Sequence, residues 1–345
     1  MTDRVQRYGS STLAKVSGSS DLRSLLDDPW LESETIIVKP NWVVTEPAAY
    51  TDHETLRILL EALDSEVVVV EGYQIGRSMN ELEEGLSFTH VGREVNWLWL
   101  MRGGWGWLSE NSDWGWFREG GHWNQLRKEE KIFLDDHGFT DLFQDHGVEY
   151  VNVTEEIWRG KTVDEAAVKE AVEGRFNPVS EERLYGFMPE RLHRLWGSTL
   201  VSFAKAKCYA TFTLKNLFGL IPDPLRAWWH GPGNSRFDDS VIGINKVYAS
   251  TFNVYGICEA LLSTAVPDPN GAHGTLSPKY RVEENLGVVA LGRDMVSLDA
   301  VLCGMLGYDL SEASYLTRAE ELGTLSTSLV DEAKADSTIW FPFRE

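Results

Sequence analysis

Two continuous apolar runs flank an amphipathic segment near the start of the chain. The runs ETIIVKPNWVV (34–44) and SEVVVVEGYQIG (65–76) are rich in β-branched residues, as buried strands are. Between them, DHETLRILLEAL (52–63) places its leucines broadly on one helical face, with Thr51 or Asp52 as the N-cap. Fully apolar strands joined by a helix are typical of a parallel sheet covered on both faces. The pattern therefore predicts an α/β fold, with a mostly parallel Rossmann-like sheet and helices on both faces.

Residues 77–131 differ from the rest of the chain, because no helical or strand period persists there and glycines interrupt it repeatedly. Half of the fourteen tryptophans lie in this stretch: Trp97, Trp99, Trp105, Trp107, Trp114, Trp116 and Trp123. Regular patterns resume over 133–156 and continue to about residue 323. We therefore predict an N-terminal extension (1–33), an α/β domain of one or two lobes (34–76 and 132–323), a Trp-rich insertion or lid (77–131) and a C-terminal tail that packs back onto the body (324–345).

The chain is strongly acidic, with a formal net charge of −21. Such a charge repels the phosphates of nucleic acids and of anionic lipids, so we expect neither nucleic acid nor a membrane as a partner. No apolar run approaches the ~18 residues that a membrane span needs, and the N-terminal residues lack the apolar core of a secretory signal. A cytoplasmic location is expected.

The three cysteines, Cys208, Cys258 and Cys303, are far apart in the sequence and each lies among apolar residues. No CxxC pair occurs, so we expect reduced, buried thiols and no iron–sulfur cluster, zinc ribbon or disulfide framework. The histidines do not show metal-ligand spacing, and no metal site is predicted. The P-loop, GxGxxG and GxSxG motifs do not occur, so the sequence does not indicate a cofactor.

Positive charge is concentrated on one short stretch, FAKAKCYATFTLKNLFGLIPD (203–223). The chain has twelve lysines, and Lys205, Lys207 and Lys215 lie within eleven positions of one another. On a continuing strand Lys205 and Lys207 would share one face, with Lys215 and Asn216 close behind. We predict that these residues bind a phosphate or carboxylate; the alternative is an exposed sheet face kept soluble by lysine.

The ends of the first two apolar strands carry polar residues. Lys39 and Asn41 flank Pro40 at the end of the first strand, and Glu71 ends the second. Ligands of open α/β sheets bind outside the carboxyl ends of the strands, so these three side chains are candidates for ligand binding. An ordinary strand-end turn would show the same pattern.

Two further segments contain candidate catalytic groups. RAWWHG (226–231) places Arg226 and His230 around two tryptophans, which suggests a ligand-binding arginine and either a general acid/base or a structural histidine. Asp299 lies near the start of a predicted helix, where it would either cap backbone groups or act in catalysis or metal binding.

The segments IIVKPNWV, VVVVEGY, HGFTDLFQDHGVEYVNV, KAKCYATFTLKNLFGLIP and LGVVALGRDMVSLDAVLCGMLGYD together resemble the DUF362 family over most of residues 34–323. Many members carry ferredoxin-type modules beside this domain, and the family has no single assigned chemistry. This chain lacks the cluster-binding cysteines, and it has AKAKCY where the family usually has PKLKTH. The opening strand, loop and helix are also distantly similar to the lactate racemase superfamily. There a lysine carries a covalent nickel-pincer nucleotide, and Lys215 is the nearest candidate position.

Two hypotheses of different class follow. The first is an enzyme that binds a small anionic metabolite through Lys205, Lys207 and Lys215, with His230 or Asp299 transferring protons and the Trp-rich segment excluding water. The second is a non-catalytic binding or accessory protein whose Trp-rich segment contacts a partner protein or another copy of the chain. A lactate-racemase-like enzyme with a lysine-bound cofactor is a further alternative.

Overall fold

The centre of the fold is a mixed sheet of eight strands, seen in a computed structural model that describes residues 4–78, 87–90, 93–96, 99–274 and 278–343. The strands of the described residues are β1 Val5–Tyr8, β2 Ser11–Lys15, β3 Thr35–Lys39, β4 Glu66–Glu71, β5 Ser87–His90, β6 Arg93–Asn96, β7 Glu149–Asn152, β8 Thr199–Lys205, β9 Asn253–Ala260, β10 Ser263–Pro267, β11 Tyr280–Glu284 and β12 Val288–Gly292. The large sheet has the order β1-β2-β12-β9-β8-β3-β4-β7. Its pairs from β9 to β7 are parallel, and those from β1 to β9 are antiparallel.

Helices pack on both faces of this sheet. The α-helices are α1 Ser19–Leu25, α2 His53–Ala62, α3 Trp105–Glu110, α4 Gly115–Glu119, α5 His122–Asp136, α6 Phe139–His146, α7 Val153–Trp158, α8 Glu165–Glu173, α9 Glu190–His193, α10 Thr213–Asn216, α11 Ala227–His230, α12 Phe237–Ala249, α13 Met295–Leu306, α14 Thr327–Ala335 and α15 Ser337–Trp340. Shorter 3₁₀ turns cover Pro29–Glu32, Ile75–Ser78, Glu182–Gly186, Leu217–Leu220, Pro232–Asn234 and Leu310–Arg318, and a π-helical turn covers Trp99–Gly103.

Neighbouring residues of β3 contribute to different apolar cores. Ile36 and Val38 pack in a cluster with leucines of α2 and α6, whereas Ile37 packs in a cluster with residues of α12 and α13. Alternate residues of a strand point to opposite faces of the sheet, so both faces of the parallel part are buried under helices. The predicted α/β class, with a mostly parallel sheet and helices on both faces, is confirmed.

The first predicted strand–helix–strand unit is β3-α2-β4. The side chain of Asp52 accepts a hydrogen bond from the Thr55 amide and caps α2, as the sequence pattern indicated. Both strands end at the same edge of the sheet, β3 at Lys39 and β4 at Glu71. The unit therefore places two polar side chains side by side at the carboxyl edge.

The described terminal segments pack with the rest of the protein, and the predicted division of the chain into domains stays a prediction. Strand β2 lies between β1 and β12 in the large sheet, and its successive residues Leu13 and Ala14 are buried in different apolar clusters. The hydroxyl of Tyr8 donates to Asp336 at 2.8 Å, so the two ends of the chain are joined. Trp340 and Phe341 are fully buried, and the tail thus packs onto the body.

The described part of residues 77–131 folds around its own aromatic cluster. It contains the β5–β6 hairpin and helices α3 and α4, whereas α5 continues past residue 131 to Asp136. Leu108, Trp114 and Phe117 are buried with Tyr73 and Leu225 of the main body. The Trp-rich segment is therefore packed against the body next to the end of β4; Trp97 lies outside the described residues.

Candidate functional site

A cleft with a volume of about 570 Å³ opens at the carboxyl ends of β3 and β4 and beside the segment that follows β8. This is the edge at which open α/β sheets bind ligands. Eight of the ten predicted site residues line it: Lys39, Asn41, Glu71, Lys207, Lys215, Asn216, Arg226 and His230. The lining does not include Lys205 or Asp299.

The ammonium group of Lys39 is fully engaged. Its Nζ donates to Glu71 Oε2 at 2.8 Å, to the Pro40 carbonyl at 2.7 Å and to Asn216 Oδ1 at 3.4 Å. A lysine has three donors, so none is left for a ligand in this arrangement. Burial lowers the pKa of Lys39 to about 8, although the Glu71 carboxylate opposes that shift. Lys39 and Glu71 thus form a buried ion pair that shapes the floor of the cleft.

Two asparagines hold this floor in place. The Asn216 amide donates to the Lys39 carbonyl at 2.8 Å and to Ser202 Oγ at 3.2 Å, linking α10 to β3 and β8. The Asn41 amide donates to the Ala49 carbonyl at 2.9 Å. Both donors of the Asn216 amide are used on the Lys39 carbonyl and Ser202, so Asn216 positions the cleft rather than presents donors to a ligand. Asn41 is held by the one donated bond and by the bond that its Oδ1 accepts from Lys207.

Two glycines allow the walls of the cleft to approach closely. A Cβ at Gly219 would lie 2.7 Å from Lys39 Nζ and 2.9 Å from Glu71 Oε1. A Cβ at Gly72 would lie 2.7 Å from Arg226 Nη2 and 2.8 Å from the Gly219 carbonyl. Side chains at either position would displace the charged groups, because real Cβ atoms do not approach other atoms this closely.

Lys215 differs from Lys39 in having no ionic partner. Among the described residues, no group forms a hydrogen bond or ion pair with its ammonium, which instead lies 3.8 Å from the ring centroid of Phe218 and 5.5 Å from that of Phe237. Burial, followed by the charges of Lys207 and Arg226, lowers the pKa of Lys215 well below its ordinary value. Desolvation next to other cations makes the amine of a lysine more readily available as a nucleophile or a base.

Lys207 and Arg226 retain donors that are not used within the described residues. Lys207 donates one hydrogen bond, to Asn41 Oδ1 at 2.8 Å, and has two further N–H groups. Arg226 donates through Nε and Nη2 to the carbonyls of Ile221 and Gly219, which leaves Nη1 without a protein partner in the described chain. Burial lowers the pKa of Lys207 to about 8 and that of Arg226 to about 10, so both are predominantly charged at pH 7.

Thr211 is a polar group that the sequence did not single out. Its Oγ1 is buried in the cleft wall and has no hydrogen-bond partner within the described residues. Buried hydroxyls are normally paired, so this one is available to a ligand. The only sequence signal was its position between Lys207 and Lys215.

The cleft also contains carboxylates. Glu46 and Glu312 line it together with Glu71, against four cationic side chains. Glu71 is neutralised by Lys39, and Glu312 is exposed and accepts a hydrogen bond from the Asp309 amide. The remaining charged side chains of the cleft are the cations Lys207, Lys215 and Arg226 and the half-buried carboxylate of Glu46.

His230 contacts three aromatic rings beside Lys215. Its ring stacks on Phe237 at a centroid distance of 4.7 Å and meets Phe218 and Trp105 edge-on at 5.3 Å. Its Nδ1 lies 3.1 Å from Asn234 Oδ1, an acceptor, and this contact favours the tautomer with the proton on Nδ1 and an unprotonated Nε2. Burial and then the Lys215 charge lower the pKa of His230 to about 3. The ring is thus neutral at pH 7 and a weak base.

Lys205 does not point into the cleft, contrary to the expectation that it shares a ligand with Lys207. Strand β8 ends at Lys205, so the alternation that would place Lys207 on the same face does not continue. Lys205 is paired in register with Glu259 of β9, and its Nζ donates to Glu259 Oε1 at 2.8 Å. Both side chains are fully buried, and Lys205 is a core residue.

Asp299 caps backbone amides rather than facing the cleft. Its Oδ1 accepts from the Thr213 amide at 2.9 Å and from the Thr213 hydroxyl at 2.6 Å, and its Oδ2 accepts from the Leu214 amide at 3.0 Å. Burial raises the pKa of Asp299 to about 7, although these hydrogen bonds oppose the shift. Asp299 thereby positions α10, the helix that carries Lys215.

One tryptophan of the Trp-rich segment forms part of the cleft. Trp105 lies at the start of α3, is 36% exposed and lines the cleft beside His230. The described tryptophans around it pack mainly on one another, for example Trp99 on Trp107 at 5.8 Å. Within its described residues, the segment therefore reaches the cleft through one ring.

The cysteines do not fit a metal cluster. Cys208, Cys258 and Cys303 are buried as free thiols on separate elements, whereas an iron–sulfur cluster held by thiolates takes four cysteines. Within the described residues, no group of three or more His, Cys, Asp or Glu side chains is arranged to hold a metal ion. In the same part of the chain, no helix combines the length and apolar character needed to cross a membrane.

Comparison with known proteins matches residues 199–304 to the family described as "Domain of unknown function (DUF362)". This segment is similar to that family and spans less than a third of the chain. It contains every predicted site residue except Lys39, Asn41 and Glu71, and it confirms the resemblance over this range. The wider resemblance across residues 34–323 and the distant similarity to lactate racemases stay predictions.

A "Thylakoid-associated protein sll1697" from Synechocystis sp. is 26% identical over 136 residues. The similarity covers 37% of this chain and 39% of the relative, well under two thirds of either. No solved structure matches the chain.

Proposed function

We propose that the protein is an enzyme that binds a small anionic metabolite, carrying a phosphate or a carboxylate, in the cleft at the carboxyl edge of the sheet. The observation that carries this proposal is the ammonium group of Lys215, which has no counter-ion within the described residues and lies beside Lys207 and Arg226. Three buried or half-buried cations with unused donors repel one another, and a bound anion would relieve that repulsion.

The unused donors define what the anion would contact. Lys207 and Lys215 offer ammonium N–H groups, Arg226 offers Nη1, and Thr211 offers a hydroxyl. Oxygen atoms of a phosphate or carboxylate are the acceptors that match such donors. Phe218, Phe237 and Trp105 would contact an apolar part of the same molecule, and Trp105 would help to exclude water.

The proposed catalytic groups are Lys215 and His230. Binding of an anion between Lys215 and Arg226 would offset the charges that depress the pKa of His230, so the ring would become a stronger base in the complex. Lys39, Glu71, Asn41, Asn216 and Asp299 act as positioning residues in this proposal. A cytoplasmic location is part of the same proposal.

Binding is tested by isothermal titration calorimetry with inorganic phosphate and with pyruvate. We expect Lys215→Met and Lys207→Met each to lower affinity about tenfold or more, because each removes a charge-assisted hydrogen bond. Lys131→Met is the matched control, since Lys131 is 75% exposed on α5 and its removal changes the net charge equally. Equal affinity of all four proteins would contradict the anion site.

Catalysis is tested on the natural ligand, identified by native mass spectrometry of the protein purified from its own host. An enzyme should lose turnover of that ligand in both Lys215→Ala and His230→Ala. A protein that only binds should lose affinity in Lys215→Ala and tolerate His230→Ala. The second result would refute the catalytic part of the proposal and leave the binding part intact.

A further inference from the structure

We infer that Lys215 forms an imine with the carbonyl carbon of a small 2-oxo acid, whose carboxylate is held by Lys207 and Arg226. This inference rests on the proposed anion site and names its substrate class. The lysines near the cleft differ in the partners that their ammonium groups have. Lys39 uses all its donors and Lys205 is paired with Glu259, whereas Lys215 contacts aromatic rings.

The surroundings of Lys215 favour its neutral amine. Its nitrogen faces the phenyl ring of Phe218, which offers no proton acceptor of carboxylate strength. Lys207, Arg226 and Lys39 are close enough for their charges to act on it, and the opposing charge of Glu71 has the smallest effect among these groups. A lysine nucleophile is activated by such desolvation next to other cations.

The neighbouring donors favour a carbonyl compound that also carries an anionic group. The two unused N–H groups of Lys207 and the Nη1 group of Arg226 would bind the carboxylate oxygens. In a 2-oxo acid the carbonyl carbon is bonded directly to the carboxylate carbon. An anchored carboxylate therefore holds the carbonyl carbon within reach of a nearby amine.

The reaction step is a condensation without a redox change. The lone pair of the neutral Lys215 nitrogen forms a C–N bond with the carbonyl carbon, and the carbonyl oxygen takes up a proton to give a carbinolamine. This proton comes from the nitrogen. The remaining proton of the nitrogen then passes to the hydroxyl group, the C–O bond breaks as the C=N bond forms, and the oxygen leaves as water. The unprotonated Nε2 of His230, on the neighbouring ring, can accept a proton during this transfer.

The test is reductive trapping of the full-length protein with pyruvate and sodium cyanoborohydride at pH 7. Intact mass should increase by one reduced pyruvate adduct, and peptide mapping should place it on Lys215. Modification of Lys215 should be faster than that of the exposed Lys131, because burial beside other cations lowers the pKa of Lys215 and raises the fraction of its neutral amine. Glyoxylate and phenylpyruvate are trapped in parallel to vary the side chain of the 2-oxo acid.

Two variants and one competitor separate the outcomes. Lys215→Arg keeps the charge but cannot form an imine, so it should bind inorganic phosphate and yield no specific adduct. As a competitor for the anion site, inorganic phosphate should slow trapping of the unmodified protein. The imine proposal would be overturned if each of the three 2-oxo acids gave adducts spread over exposed lysines, with no preference for Lys215. If phosphate binding still depends on Lys215 in that case, the anion site stands alone; if it does not, both proposals fall.

Discussion

Replacement of Lys205 by methionine should destabilise the protein strongly while leaving anion binding unchanged. Lys205 and Glu259 are both 0% exposed, and their charged atoms lie 2.8 Å apart. At an effective dielectric constant of about 20 the Coulomb attraction of such a pair is ~6 kcal/mol, most of which offsets the loss of hydration. Removing one partner leaves a buried carboxylate uncompensated, which costs about 3–5 kcal/mol.

The carboxylate left behind determines the pH dependence of this variant. Burial already raises the pKa of Glu259, and Lys205 opposes the shift, so the pKa rises further in Lys205→Met. A folded-state pKa above the unfolded one means that the folded protein retains a proton which the unfolded chain has lost. The destabilisation should therefore be larger at pH 8 than at pH 5.

The assay is urea unfolding followed by both far-ultraviolet circular dichroism and Trp fluorescence. The double variant Lys205→Met/Glu259→Gln should recover most of the lost stability, because a glutamine oxygen can still accept from the Leu261 amide that Glu259 binds at 3.0 Å. Phosphate affinity of Lys205→Met should equal that of the unmodified protein. A loss of stability below about 1 kcal/mol, or a tenfold loss of phosphate affinity in the folded variant, would refute the assignment of Lys205 to the core.

Three further predictions follow from the cleft. Gly219→Ala should displace the Lys39 ammonium, which would lie 2.7 Å from the new Cβ, and destabilise the protein by about 1–3 kcal/mol in urea unfolding; an unchanged midpoint would contradict the close approach. The free energy of unfolding should fall as pH rises from about 4 towards 7, because the pKa of Asp299 is raised to about 7 in the folded state. Asp299→Asn should remove this contribution to the pH dependence and lower the free energy of unfolding by about 1–3 kcal/mol. The imidazole of His230 should stay neutral between pH 5 and 8 in side-chain NMR spectra. Its pKa should rise in Lys215→Met, because the Lys215 charge contributes to lowering it. A His230 pKa near 6.5 in the unmodified protein would refute the described burial.

Local patterns were sufficient to predict the parallel half of the sheet. Residues within a few positions of one another determine the apolar runs of β3 and β4, the amphipathic face of α2 and the cap of that helix at Asp52. The strand ends also placed Lys39 and Glu71 at the edge where ligands bind, because strand direction follows from the chain order. The strands β1 and β2 were missed because they are short and because β2 joins the sheet by pairing with β12, more than 270 residues away in the sequence.

The sequence by itself determined that scarce lysines gather around one edge of an acidic α/β protein. Only the tertiary structure decided which of them could meet a ligand, because their partners lie far along the chain. Lys205 finds Glu259 54 residues away, and Asn216 reaches Lys39 across 177 residues. Lys215 has no such partner in the described residues and contacts aromatic rings instead. Composition and spacing can indicate where charge is concentrated, but whether a charge is neutralised depends on the atoms within about 4 Å of it, and these are set by the packing of distant segments.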